Sequence, residues 1–205
     1  MLQFEDSTTY HSTTVLSAGI SISANSNDSK NTNDSKTEDK LLLMNSATTL
    51  QQLLHGSPSE RAMAAEHLAQ QGSEAAFAAC ELTAACGDTE AISDWAVAAL
   101  EQLGAPPSSA IESLASMAQS KNPLTAYWAV TLLGRAGPDA AVHQQVLVTL
   151  LQHSEDLAVQ EKAAWSLGRM EAKSQEATQA LEQAAQSPEV RLSRVAAKSL
   201  QQTKT

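Results

Sequence analysis

The chain of 205 residues carries a formal net charge of −10, and only 3% of it is aromatic. Ala, Leu, Gln, Ser and Glu dominate, which suits helices and leaves few of the β-branched and aromatic residues from which sheets are made. The segment up to Met44 and the remainder are both acidic, which argues against a nucleic-acid phosphate backbone or an anionic membrane surface as partner, since both are gripped by clustered Lys and Arg.

Near the start, the apolar stretch from Val15 to Ile22 is too short to span a bilayer and contains Ser17 and Gly19. Glu5 and Asp6 stand where a secretory leader would carry positive charge. A cytoplasmic protein is the expectation. From Ser21 to Lys40 polar residues crowd out almost everything able to form a core, so Met1 to Met44 reads as a disordered tail. Its two Asn-Asp-Ser-Lys units read as low-complexity drift, and Met44, directly before the ordered pattern, as an alternative start.

After Met44 the dominant signal is internal repetition. A helix near Ala47 to Leu54 reads as an N-terminal cap. A leucine then recurs as Leu68, Leu100, Leu133, Leu167 and Leu200, each preceded at three and four residues by small or apolar side chains such as Ala64 and Ala65 or Ala129 and Val130. That is one helical face. Fourteen residues on, a second leucine recurs as Leu82, Leu114, Leu147 and Leu181, across a break marked by Gly72, Gly104, Gly137 or Glu171. Each unit is therefore helix, turn, helix. Gly56-Ser57-Pro58, Gly87-Asp88-Thr89, Asn122-Pro123, Ser154-Glu155-Asp156 and Ser187-Pro188-Glu189 separate the units with turn and N-cap chemistry. Paired helices of this length cannot bury an apolar stripe alone, so the units must stack.

The runs from Arg61 to Leu68, from Trp128 through Leu133-Gly134-Arg135 to Gly137, and from Trp165 through Leu167-Gly168-Arg169 to Met170 resemble the short HEAT repeats of the phycobilisome-lyase type. The resemblance spans about Ser57 to Gln202. It implies an all-α protein, a right-handed α-solenoid of about five HEAT-type helical hairpins from Asn45 onward. For function it implies a range, from adaptors to bilin lyases, iron-dependent hydroxylases and DNA glycosylases.

Little in the sequence supports the enzymes. His11, His55, His67, His143 and His153 share no ligand spacing, and none is followed by Glu, so the His-Glu pairs of the hydroxylases are missing. Cys80 and Cys86 lie on different faces of one helix and read as buried, reduced thiols. The glycosylase reading lacks a basic face. The expectation is a non-enzymatic module that binds a protein partner, without cofactor or metal; a bilin-lyase-like, tetrapyrrole-handling protein is the alternative.

Candidate binding residues fall on the second helix of each unit, which in the family geometry lines the concave surface. Glu112, Gln145 and Gln179 stand twelve residues after the ladder leucine and Gln119, Gln152 and Gln186 nineteen after it, with Gln183 between. Seven apart, they share one face. Neutral amides both donate and accept, and such an interface should be insensitive to salt. Among the tryptophans, Trp95 and Trp128 share a register that suggests packing between repeats, whereas Trp165, nearly opposite its leucine, should show part of its ring to solvent and joins the candidates.

Overall fold

The computed structural model describes residues 45–172 and 174–203. The reading of Met1 to Met44 as a disordered tail lies outside them. Among the described residues there are ten α-helices and no strand. Helix α1 covers 45–55. It is followed by α2 (Pro58–Gln71), α3 (Ala79–Ala85), α4 (Glu90–Gln102), α5 (Ile111–Met117), α6 (Pro123–Ala136), α7 (Gln144–His153), α8 (Leu157–Arg169), α9 (Gln175–Ala184) and α10 (Val190–Thr203). Short 3₁₀ segments, Gly72–Ala78, Ser108–Ala110 and Gly137–His143, lead into α3, α5 and α7. The helices form two rows, even-numbered and odd-numbered, and the protein is an all-α solenoid.

The punctuation explains where helices begin. Ser57 closes a capping box with Glu60 at the start of α2. The Asn122 side chain accepts from the amides of Leu124 and Thr125, Asp156 from that of Val159, and Ser174 from that of Ala177. Each supplies an acceptor to amide hydrogens that have no partner within the helix. Between the helices of a unit, Gly72 and Gly137 take φ of 59° and 62°, which a side chain resists. Gly104 does not; there Pro106 and Pro107 turn the chain instead.

The two leucine ladders form the core. Leu68, Leu100, Leu133 and Leu167 are fully buried, as are Leu82, Leu114, Leu147 and Leu181, while Leu200 on the final helix is only partly so. Burial of each such side chain contributes about 1.5 to 3 kcal/mol.

How closely even-numbered helices approach is set by the residues flanking the ladder leucine. Those after it are Ala69, Glu101, Gly134 and Gly168; those before it on the next helix are Ala99, Leu132, Ser166 and Ser199. A Cβ on Gly134 would stand 2.4 Å from Ser166 Oγ, and one on Gly168 2.7 Å from Ser199 Oγ. In that contact Ser166 donates to the Val130 carbonyl at 2.8 Å. Helix α2 accordingly packs on α4, α6 on α8, and α8 on α10. Between α4 and α6, where the same register holds Glu101 and Leu132, the two helices have little direct contact; α6 packs instead on α3 and α5.

This seam is bridged by side chains. Trp128 is buried on α6, and the Arg135 guanidinium lies 5.7 Å from its ring centroid. From there Arg135 Nη1 donates to the Leu100 carbonyl at 2.6 Å and to that of Leu103, so the C-terminal end of α4 is held by a cation from α6. Trp95 departs from the expectation drawn from its register, remaining 40% exposed. Helices α2 and α4, set alanine to alanine, leave no gap wide enough for an indole.

Candidate functional site

Among the described residues, none of the His, Cys, Asp and Glu side chains form a group of three or more able to hold a metal ion, and no helix is long and apolar enough to cross a membrane. The cysteines are free. Cys86 is buried, which pushes its thiol up to about 12; Cys80 is half-buried and also raised, by burial first and then by Glu81. Thiols held protonated at neutral pH are poor nucleophiles.

The glutamine stripe falls on the odd-numbered row. Glu112, Gln119, Gln145, Gln152, Gln179, Gln183 and Gln186 are all exposed. Gln152 and Gln183 are brought together at a shallow depression between α7 and α9, beside His153 and Gln160. Glu112 is drawn elsewhere, with its Oε2 3.4 Å from His143 Nε2. Trp165 stands on the other row and shares no surface with the glutamines.

Around Trp165 the even-numbered row presents a mostly apolar depression, a groove of about 590 Å³ running across α6, α8 and α10. Leu124 and Tyr127 of α6, Lys162 and Trp165 of α8 and Val195 of α10 line it, together with the carboxylates of Asp156 and Glu161. The indole lies half-buried against α6, where Gly134 makes room: a Cβ there would meet Trp165 Cζ3 at 2.5 Å. The Lys162 ammonium sits between two rings, 5.1 Å from the centroid of Tyr127 and 5.0 Å from that of Trp165. Such contacts hold a cation in place while leaving its charge uncompensated. Glu161 is buried beside it and pairs with Arg191, Nε to Oε2 2.9 Å.

On its opposite side Trp165 borders a second depression, lined by Arg135, Arg169 and Lys198. Helices α6, α8 and α10 together carry six basic residues against one acidic residue, Glu161. An acidic chain thus concentrates cations on three neighbouring helices, while Asp156, the N-cap of α8, adds a carboxylate to the groove.

Sequence reasoning found Trp165 but missed Tyr127, Lys162, Arg169 and Lys198. Net charge averaged the face away. The available signal was segregation, since eight of the ten basic residues after Met44 lie from Arg135 onward, and Lys162 stands three residues before Trp165, on the same helical face.

Residues 111–201 match the family model for HEAT repeats. No curated protein matched the chain.

Proposed function

We propose that this HEAT-repeat chain is a non-enzymatic protein-binding module, and that it binds through the face of α6, α8 and α10 centred on Trp165. HEAT repeats generally mediate protein interaction, and the match supports a protein of that kind. The observation that carries the choice of face is the groove of about 590 Å³ with a half-exposed Trp165 in its lining. Tryptophan in a water-excluding pocket is the side chain most often found at the energetic centre of interfaces. The exposed glutamines offer hydrogen bonds but no comparable concavity, since the depression at Gln152 and Gln183 is smaller and less apolar.

A photo-crosslinking amino acid placed at Leu124, on the groove rim, and separately at Gln145, on the glutamine row, compares the two faces in extract from the source cell. The expected result is one protein adduct from position 124 and none from position 145. An adduct from position 145 alone would transfer the interface to the glutamine row. A partner-free chain that instead shifts and saturates the visible absorbance of an added bilin would support the tetrapyrrole-handling alternative.

A further inference from the structure

Resting on that choice of face, we infer that its occupant is a short acidic protein segment with one large apolar side chain, the apolar group seated in the groove over Trp165 and the carboxylates on the cations around it.

The argument is charge complementarity. Among the described residues, Lys162, Arg169, Arg194 and Lys198 take part in no ion pair, whereas the one acidic residue of the three helices, Glu161, is compensated by Arg191. Arg169, Arg194 and Lys198 are therefore exposed, and Lys162 half-buried between its two rings, without an ion-pair partner. Lys162 lies within the groove, whose lining also carries the carboxylates of Asp156 and Glu161, while Arg169 and Lys198 line the depression on the other side of Trp165, so the complementary ligand seats its apolar group in the groove and directs its carboxylates to Lys162 and past Trp165 to the other cations. Size limits it further. From Lys162 to Arg169 is roughly 10 Å along α8, at about 1.5 Å per residue, and crossing from α6 to α10 adds roughly 20 Å at about 8 to 10 Å per helix. Six to nine extended residues would span that, at roughly 3.3 Å each. A long polyanion fits poorly, because it would run onto residues 45–134, where nine acidic residues oppose two basic ones.

Fluorescence anisotropy tests this with a labelled octapeptide of Asp and Glu carrying a single central Leu or Phe. The comparison probes are the same peptide with central Ala, its Lys-rich counterpart, a single-stranded DNA octamer, and vesicles containing phosphatidylserine. The Leu and Phe peptides should bind, the Ala peptide about tenfold more weakly, and the Lys peptide not at all. Raising salt from about 0.05 M to about 0.3 M should weaken binding several-fold. The variant Lys162→Gln/Arg169→Gln/Lys198→Gln should lose about tenfold or more while its melting temperature falls by no more than a few degrees, the share owed to the two ring contacts of Lys162. Arg191 is left in place because its removal would strand Glu161. Replacing Gln145, Gln152, Gln179 and Gln186 with Ala should change nothing. Equal binding of the Ala and Leu peptides, retention by the triple variant, or tighter binding of the DNA octamer or the vesicles would each overturn the inference. If Leu124 still crosslinks a protein while every acidic peptide fails, the face stands and its proposed occupant falls.

Discussion

The junctions α6/α8 and α4/α6 occupy the same place in consecutive repeats and are built differently. At the first, Gly134 meets Ser166 and the helices lie in contact; at the second, α4 and α6 have little direct contact, and Arg135, stacked on the buried Trp128, reaches across to the end of α4. The difference carries into charge, because the closely stacked helices α6, α8 and α10 bring their cations onto one surface around Trp165, whereas residues 45–134 remain strongly acidic. The candidate site thus lies where directly packed helices also carry the cations, whereas α2 and α4 pack directly with Arg61 as their one basic residue.

The largest effect expected is on the ladder itself. Leu133 is wholly buried within the stack and Leu200 only partly buried at its end. Leu133→Ala should cost about 2 to 5 kcal/mol in urea denaturation, and Leu200→Ala less than half as much. Equal losses would mean that the final helix is as tightly enclosed as the interior ones.

Next comes the residue after the leucine. Gly134→Ala places a Cβ within 2.5 Å of Trp165 Cζ3 and closer still to Ser166 Oγ, so it should cost roughly 1 to 3 kcal/mol. It should also displace the indole, visible as a shift in tryptophan emission. Glu101→Ala, in the same register at the seam, removes an exposed side chain and should change stability by less than about 0.5 kcal/mol. A comparable loss at Glu101 would show that α4 and α6 depend on that residue after all.

These two positions also show what the sequence made legible. Leucine spacing gave the two ladders because a helical period of apolar residues has no other economical use. Cap residues gave the helix starts, Asn122 and Asp156 among them, because orphan amides need acceptors nearby. The approach of one helix to the next was encoded too, in Gly134 and Gly168 against Glu101, but reading it required knowing which residue of the following helix would arrive opposite. The site was harder for the same reason. Lys162 and Trp165 are neighbours on one helix, but Tyr127, Val195 and Lys198 come from two others, and total charge conceals a face on which one sign collects.

A smaller effect separates the halves by pH. The two thiols lie on α3 and just beyond its end, and the described residues after α4 include no cysteine. Cys86 is pushed from its ordinary 9.0 up to about 12 by burial. Above about pH 9 the unfolded thiol ionises while the folded one keeps its proton, so the folded state binds more protons and stability falls as pH rises toward about 12. The loss should not exceed about 1.4 kcal/mol per pH unit. Cys86→Ala should flatten that slope, read from thermal melts between about pH 8.5 and about pH 10.5. Amide exchange should place the alkaline loosening in α3 and α4 before α8. A slope unchanged in the variant would assign the alkaline loss to another group.

The smallest effect is a gain, and it sits at the turn between α8 and α9. Four residues after the ladder leucine, Gly72 and Gly137 turn the chain with positive φ, and at the same register Glu171 is forced to do so with φ of 52°. A side chain in that region costs roughly 1 to 2 kcal/mol. Glu171 is exposed and makes no ion pair among the described residues, so little is lost by removing it. Against this, glycine adds freedom to the unfolded chain and so returns part of the benefit. Glu171→Gly should therefore stabilise by about 0.5 to 1 kcal/mol, seen as a rise in melting temperature of a few degrees. Gly137→Ala, the converse change at the preceding turn, should lose roughly 1 to 3 kcal/mol. If Glu171→Gly left the melting temperature unchanged or lowered it while Gly137→Ala behaved as expected, the α8 to α9 turn would owe its shape to its neighbours, Met170 and Ala172, both buried, and not to the backbone freedom of the residue between them.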